Sequence, residues 1–288
     1  MNYRKASILN FHKPLTALTS ASFVMAILVV SMMSASLMIM NSQIKSAYAS
    51  TTSGMEMFVV PYFSPSGPWQ TIYNAATNYP GAIKYVAINP CSGPCSGSTS
   101  LSPQWQSIVS NLNNLGIITL GYIYYTSEST GAIDYYMKNN PGAMNTKGIL
   151  FDKEGSQSTD NSVPFSKYSN YVHSLGGVVY TNPGYNYKYV INYLTGSTTG
   201  GIPDVDVANI YEAGPSRIFQ MSVPAGISPD HLSAIVKSEN KCNGMVSDIP
   251  AVSSKGIANV YVTGSTYSSL PSYFSNEAHY IENNASNC

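Results

Sequence analysis

The sequence has few charged side chains. Only 10% of its 288 residues are Asp, Glu, Lys or Arg, and 14 basic residues balance 14 acidic ones, so the net charge is zero. Proteins that bind nucleic acids need Lys and Arg to neutralise phosphates. Because this chain has no excess of basic residues, we do not expect a nucleic acid partner.

Motifs for metals and nucleotide cofactors are also missing. Cys91 and Cys95 form a C-x₃-C pair with no His or further Cys nearby, unlike the usual zinc spacings. His173, His231 and His279 have no second ligand at a metal-binding spacing either. No glycine-rich dinucleotide loop follows a predicted strand. The sequence therefore predicts neither a bound metal nor another cofactor.

A long uncharged segment lies near the N terminus. Three basic residues occur among the first 13, no charged side chain occurs in residues 14–44, and the small residues SAYAS follow. This layout is typical of a secretory signal that is cleaved after Ala49. The apolar run at residues 22–40 also approaches the roughly 20 residues that span a bilayer. The remainder is expected outside the cytoplasm, secreted after cleavage or anchored at the cell surface.

These features predict a simple domain organisation. Residues 1–49 are a signal peptide or membrane anchor, residues 50–56 are a linker, and residues 57–288 form one domain. The last segment is within the roughly 200 to 250 residues that a barrel can use as one domain. We expect a monomer that contacts a membrane only through its N-terminal segment.

All four cysteines lie in the exported part, where disulfides persist. Cys91 and Cys95 flank a Gly-Pro turn, which favours a local pair. That pairing leaves Cys242 with Cys288. The two other connectivities of four cysteines stay open.

Eight short runs rich in β-branched and aromatic residues alternate with amphipathic stretches. They are MFVVPYF (57–63), IKYVAINP (83–90), IITLGYIYY (117–125), GILFD (148–152), GGVVYTNP (176–183), VDVANIYE (205–212), HLSAIVKS (231–238) and IANVYVTG (257–264). Most lack polar alternation, as expected of parallel strands that are covered on both faces. Eight strand–helix units predict an α/β fold, a (β/α)₈ TIM-like barrel, rather than an open doubly wound sheet.

In such barrels the reactive groups lie where strands end. The final residues of the eight runs include Tyr62, Asn89, Tyr122, Tyr124, Asp152, Asn182, Glu212, Lys237 and Thr263. Asp152 and Glu212 are two carboxylates from the fourth and sixth strands, and hydrolysis of a glycosidic bond needs such a pair. The alternative is that each acid merely caps the helix that follows it.

The composition also suits a sugar ligand. The chain has 23 Tyr and many Ser, Thr, Asn and Gly, which offer flat rings and neutral hydrogen-bonding groups. The same composition is ordinary for an exported protein. A tyrosine at a strand end also has packing as an alternative to ligand contact.

Several motifs occur in a characteristic order over residues 57–281. They are VVPYF, YVAINPCSGP, LGYIYY, GILFD, YTNPG, NIYE and NVYVTGSTYSSLPSYF. In this order the chain resembles the spherulation-specific family 4 (spherulin 4-like) proteins. The resemblance implies a TIM-barrel glycoside hydrolase, related to α-1,4-galactosaminidases, that acts on a galactosamine-containing polysaccharide. It also implies an Asp-Glu pair after strand four and a Glu after strand six, which Asp152 and Glu212 match in part.

The chain departs from that pattern at Lys153, which replaces the expected Glu, while an acid follows at Glu154. Residues two apart in an extended strand face the same way, so Asp152 and Glu154 could both face the cleft. In the other arrangement Lys153 enters the cleft and lowers the pKa of the carboxyls. A general acid needs a raised pKa, so activity would then be lost or altered.

The sequence thus predicts an exported glycoside hydrolase that cleaves an amino-sugar-containing surface or matrix polysaccharide. Asp152, Glu212 and Glu154 are the expected catalytic residues. Tyr62, Asn89, Tyr122, Tyr124 and Asn182 are the expected sugar-binding residues. The main alternative, which Lys153 favours, is a non-catalytic glycan-binding barrel at the cell surface. A structural matrix protein without a ligand is a third hypothesis.

Overall fold

The structure, a computed structural model, describes residues 54–95, 103–124, 129–138, 143–153, 162–183, 188–196, 204–264 and 266–288. The predicted signal or anchor at residues 1–49, including the apolar run 22–40, lies outside these ranges. In the described part of the chain, no helix is both long and apolar enough to cross a membrane.

Eight parallel strands pair in chain order and close into a barrel. They are β1 (Glu56–Val59), β2 (Ile83–Ile88), β3 (Ile118–Tyr124), β4 (Gly148–Asp152), β5 (Val178–Asn182), β6 (Val207–Ala213), β7 (Leu232–Val236) and β8 (Asn259–Val262). Each predicted run overlaps one of these strands, and β1 and β6 each extend one residue beyond their runs, so the (β/α)₈ barrel is confirmed.

Helices cover the outside of the barrel between the strands. Those in the described ranges are α1 (Trp69–Asn78), α2 (Pro103–Asn114), α3 (Thr130–Met137), α4 (Ser162–Ser174), α5 (Lys188–Thr195), α6 (Cys242–Ser253) and α7 (Phe274–Asn283). Helix α2 shows why they form, since Trp105, Ile108, Val109 and Leu112 recur at helical spacing and are buried. Between β6 and β7 the fully described connection has two 3₁₀ helices, Pro215–Gln220 and Pro229–His231, in place of an α-helix.

Aromatic side chains fill the interior of the barrel. The Phe58 ring stacks on the Tyr180 ring with centroids 4.2 Å apart, and the Tyr85 ring meets Tyr180 edge-on at 5.3 Å. Tyr180 is fully buried. The barrel is therefore a packed core rather than a pore, and a ligand has access only at its open end.

Two disulfides join the four cysteines. Cys91 pairs with Cys95 across four positions, and Cys242 pairs with Cys288 across 46. Since Cys242 is the first residue of α6, the second bond fastens the C-terminal residues to the start of that helix.

We expect the Cys242–Cys288 bond to contribute more to stability than the Cys91–Cys95 bond. A cross-link stabilises mainly by restricting the unfolded chain, and a loop of 46 residues corresponds to about 4 kcal/mol in the chain-entropy model. The Cys242→Ser/Cys288→Ser variant should lose about 2 to 4 kcal/mol of unfolding free energy in urea titrations. The Cys91→Ser/Cys95→Ser variant is the matched control. An equal or larger loss in that control would contradict the loop-length argument.

Candidate active site

A cavity of about 220 Å³ opens at the ends of the strands. Its floor is apolar and its rim is polar. The lining residues are Phe58, Val60, Leu150 and Ile235 on the apolar side, and Tyr62, Tyr122, Asp152, Lys153, Asn182, Glu212, Lys237 and Tyr267 on the polar side. The carboxyl ends of the strands of a TIM barrel are where ligands bind, so this cavity is the candidate active site.

Alternation along the strands decides which side chains reach the cavity. In β4, Leu150 and Asp152 line it, whereas Phe151 points outward and packs on Phe165 of α4 with ring centroids 5.3 Å apart. In β7, Ile235 lines the cavity, and Lys237 does so just past the end of the strand. In β4 and β7, the last inward position at or just past the strand end therefore supplies a polar side chain to the cavity.

Strand β6 breaks this alternation with a bulge. Asn209 pairs with Ser233 and Glu212 pairs with Ile235, so three steps along β6 match two steps along β7. Residues three apart in a regular strand face opposite sides. The extra residue lets Asn209 and Glu212 both face the interior, which is how a bulge next to an active site re-aims a side chain.

The two carboxylates share one amide donor. Asn182 Nδ2 donates to Asp152 Oδ1 at 3.0 Å and to Glu212 Oε2 at 2.9 Å. These two oxygens can be no farther apart than the sum of the two hydrogen-bond lengths, roughly 6 Å. Asp152 and Glu212 therefore form a close pair that faces one cavity.

Asp152 is half-buried among hydrogen-bond donors. The Tyr122 hydroxyl donates to its Oδ2 at 2.6 Å. Burial raises the pKa of the Asp152 carboxyl, and the nearby Glu212 charge raises it further. The hydrogen bonds from Tyr122 and Asn182 and the charge of Lys153 act to lower this pKa, but the net direction is upward. A carboxyl with a raised pKa can take up and release a proton more readily near neutral pH, and the surroundings of Asp152 favour this.

Glu212 accepts hydrogen bonds from three side chains. Besides Asn182, the Tyr267 hydroxyl donates to Oε1 at 2.8 Å and Lys237 Nζ lies 3.2 Å from the same oxygen. Burial, followed by the charge of Glu212, raises the pKa of the Tyr267 hydroxyl far above its usual range. Tyr267 therefore stays protonated and donates to the carboxylate.

Three tyrosines form a wall beside the carboxylates. The Tyr62 ring meets the Tyr122 ring edge-on at 5.8 Å and the Tyr267 ring at 5.3 Å. The backbone N–H of Tyr62 donates to the carbonyl of Tyr267 at 2.8 Å, which joins the chain after β1 to the chain after β8. Tyr62 is 38% exposed, so an aromatic face remains open to a ligand.

Lys153 lies at the cavity rather than behind it. Strand β4 ends at Asp152, and Lys153 has a φ of 70°, in the left-handed region. Its backbone N–H still donates to the carbonyl of Asn182 at 2.7 Å, while the exposed side chain lines the cavity. The extended geometry that would turn Lys153 away and align Glu154 with Asp152 therefore stops at Asp152. Glu154 itself lies outside the described residues.

Some residues named from the sequence do not line the cavity. Asn89 is buried, and its Oδ1 accepts the Gly93 N–H at 2.9 Å, so it supports the turn that contains Cys91–Cys95. Tyr124 pairs in register with Asp152 but packs against the core. Thr263 is fully buried. A strand-end position alone does not bring a side chain to the cavity. These three side chains are buried or packed against neighbouring residues instead.

Tyr267 is the main site residue that strand-end reasoning missed. It lies five residues after the end of β8, in a loop that returns over the cavity. Its signal in the sequence is the motif NVYVTGSTYSSLPSYF, which contains it. Asn209 was also missed, because a regular strand would have placed it on the opposite side from Glu212.

His173, His231 and His279 do not line the cavity. His173 Nε2 is 3.0 Å from Asp206 Oδ2, and His231 Nδ1 is 2.6 Å from the carbonyl oxygen of Asp206. Among the described residues, no group of three or more His, Cys, Asp or Glu side chains is placed to hold a metal ion.

We expect Tyr122→Phe to raise the pKa of Asp152 further. The change removes the hydroxyl that stabilises the ionised carboxylate at 2.6 Å and leaves the ring in place. Carboxyl ¹³C NMR titration, with the signal assigned through Asp152→Asn, measures the shift. Tyr211→Phe is the matched control, since the Tyr211 hydroxyl donates to the carbonyl of Gly214 and does not line the cavity. An unchanged or lower Asp152 pKa in Tyr122→Phe would contradict the assigned hydrogen bond.

Two solved structures resemble this barrel. Sph3 from Aspergillus clavatus, solved in complex with GalNAc, matches with a TM-score of 0.62 and 17% identity, covering 81% of this chain and 100% of that chain. A GH18 chitinase from Pseudoalteromonas aurantia matches with a TM-score of 0.53 and 12% identity, covering 78% of this chain and 98% of that chain. At these identities the likeness concerns the fold alone.

Sequence comparison defines the family. No curated protein sequence gives a significant match. A model of the spherulation-specific family 4 matches residues 55–281, which include the whole barrel and every residue of the cavity wall. The chain therefore belongs to the spherulation-specific family 4.

Proposed function

We propose that this protein is an exported glycoside hydrolase that uses Asp152 and Glu212 to cleave an amino-sugar-containing polysaccharide. One observation carries the proposal: two carboxylates share the Asn182 amide at the open end of the barrel. A pair of carboxyl groups beside one cleft is the machinery that most glycoside hydrolases need.

The close spacing of the pair favours a retaining pathway. Carboxyls about 5 to 5.5 Å apart leave no room for a water between them, so one carboxylate attacks the anomeric carbon directly. The other carboxyl protonates the departing glycosidic oxygen. A water then replaces the leaving group, gives its proton back to that second carboxylate and releases the sugar from the first. Hydrogen-bond donors surround both Asp152 and Glu212, so either carboxyl can serve as the nucleophile or as the acid/base.

Charge balance in the cavity favours a neutral sugar. Asp152, Glu212, Lys153 and Lys237 line the same cavity, and tyrosine rings in its wall offer apolar faces. An N-acetylated amino sugar is uncharged and leaves the balance of two carboxylates and two lysines intact, whereas its free-amine form adds a cation without a counter-charge of its own. Sph3, whose fold this chain shares, was solved in complex with GalNAc. These points support an N-acetylated amino-sugar polymer as the substrate.

Export is supported by two features. The described part of the chain contains two disulfides, which form and persist in oxidising compartments. The first 49 residues have the layout of a secretory signal or an anchor. The polysaccharide is accordingly proposed to lie outside the cytoplasm, at the cell surface or in a matrix.

Asp152→Ala and Glu212→Ala should each lower the rate of polymer cleavage by at least about 100-fold, since each removes a carboxyl that takes part in bond breaking. Reducing-end formation on a panel of amino-sugar polysaccharides measures the loss. Asp134→Ala is the matched control, because Asp134 lies on α3 and bonds Lys138 and Tyr171 away from the cavity. Retained cleavage in either cavity variant would overturn the proposal.

The Asp152→Ala and Glu212→Ala variants can also show which carboxylate is the nucleophile and which is the acid/base. Azide added with an activated glycoside should give a glycosyl azide of inverted configuration in the variant that lacks the nucleophile. In the variant that lacks the acid/base it should give the retained configuration. No azide product of either kind would contradict the retaining pathway.

The position of Lys153 favours one alternative, a barrel that binds glycans without cleaving them. Its charge acts against a raised pKa of Asp152, which a general acid needs. Saturable glycan binding without turnover by the natural protein, with turnover appearing in Lys153→Glu, would support this alternative over the hydrolase.

Under the hydrolase proposal, the N-acetylated polymer should have a higher kcat/KM than the same polymer after de-N-acetylation. Lys153→Glu should narrow this difference, because it replaces a cation that repels free amines with an anion that attracts them. Parallel assays on both polymers measure the ratio. Equal cleavage of the two polymers by the natural protein would contradict the charge argument.

A further inference from the structure

A row of buried polar side chains extends from the carboxylate pair into the barrel. Behind Asn182 lies Asn209, which is 1% exposed, and behind Asn209 lies Ser233, which is 0% exposed. Neither Asn209 nor Ser233 lines the cavity. Both occupy the barrel interior, where other inward positions carry large apolar groups such as Phe58 and Tyr180.

The hydrogen bonds in this row point in one direction. The Ser233 hydroxyl donates to Asn209 Oδ1 at 3.1 Å, and Asn209 Nδ2 donates to Asn182 Oδ1 at 2.9 Å. Asn182 Nδ2 then donates to both carboxylates. Each amide has one accepting end and one donating end, and ionised carboxylates only accept, so Asn182 and Asn209 both direct their NH₂ groups toward the pair.

This direction matters at the carboxylates. If the Asn182 amide were turned over, its carbonyl oxygen would face Asp152 and Glu212, and its NH₂ group would face the NH₂ of Asn209. Both contacts are repulsive. Asn209 prevents this orientation because it occupies the accepting end of Asn182 with a donor.

The cost of burying the row indicates a role beyond packing. A buried polar side chain is unfavourable unless its hydrogen bonds are made, and an apolar residue would fill the same space at no such cost. The β6 bulge also turns Asn209 inward on the strand that supplies Glu212. One strand thus provides a carboxylate and the group that orients its partner amide.

We propose that Asn209 and Ser233 are positioning residues of this site: they hold the Asn182 amide in the orientation that joins Asp152 and Glu212 into one pair. The inference rests on the proposed function only for its effect on turnover. Its effect on the carboxylates can be measured without any substrate.

The first test measures the pKa of Asp152 in the full chain by carboxyl ¹³C NMR titration. The Asp152 signal is assigned through Asp152→Asn. Asn209→Leu keeps a similar volume but cannot donate, so Asn182 is no longer held and its bond to Asp152 weakens. That bond favours the ionised carboxylate, and the Asp152 pKa should therefore rise by roughly half to one pH unit. Ser233→Ala, a milder change that leaves Asn209 in place, should shift the pKa in the same direction by less.

Asn259→Leu is the matched control. Asn259 is also fully buried in the barrel wall and pairs with Ser233 in register, but its Nδ2 donates to the carbonyls of Asp230 and Leu232. The substitution removes a buried amide with no link to the carboxylates. It should lower thermal stability, as Asn209→Leu does, and leave the Asp152 pKa unchanged.

The second test is a double-mutant cycle on turnover. Asn209→Leu should lower kcat about tenfold with little change in KM, the loss of roughly one hydrogen bond to a charged system. Because Asn209 acts through Asn182, the double variant with Asn182→Ala should be no slower than Asn182→Ala alone. Additive losses would mean that the two residues act independently, and would overturn the inference.

The two tests keep the inference and the proposed function apart. A raised Asp152 pKa in Asn209→Leu and Ser233→Ala, in a protein that cleaves no glycan, would support the positioning role and reject the hydrolase. An unchanged Asp152 pKa in both variants, in a protein that cleaves its polymer normally, would reject the positioning role and leave the hydrolase standing. An equal shift in Asn259→Leu would also reject it, because general loosening would then explain the effect.

Discussion

The alternation of side chains in a closed parallel barrel is the constraint on which this site depends. Helices cover the outer face, so every second residue is committed to packing, as Phe151 is on Phe165. Within the strands, an inward position near the carboxyl end can present a polar group to the cavity. Asp152, Asn182 and Lys237 all reach the wall in this way, from β4, from β5 and from just beyond β7.

The same constraint explains how much could be predicted from the sequence. Eight apolar runs followed by turns define the strands because parallel strands are buried on both faces, and the positions of Asp152 and Glu212 at strand ends follow from that. The bulge in β6 has no comparable signal, since it depends on pairing with β7. Asn209 could therefore not be placed inside, although Glu212 could be placed at the mouth.

Turns and loops account for the remaining differences. The sequence left two arrangements of Lys153 open, and a left-handed φ at this first residue after β4 ends the alternation that one of them requires. Asn89 follows β2 as the other candidates follow their strands, yet it bonds the N–H of Gly93 in a disulfide-closed turn. In both cases the local backbone after the strand, which periodicity does not describe, decides where the side chain lies.

The cavity concentrates opposite charges in a chain that has few of them. Two carboxylates and two lysines line about 220 Å³, and Tyr122, Asn182 and Tyr267 donate neutral hydrogen bonds to the carboxylates. Because these donors are themselves held by a buried amide or by neighbouring rings, they are oriented toward the carboxylates before any ligand binds. Such preorganised dipoles are the largest source of catalytic stabilisation in enzymes. Two carboxylates held this close repel each other, which raises the cost of keeping both ionised, and the lysines and neutral donors of the same cavity offset that cost.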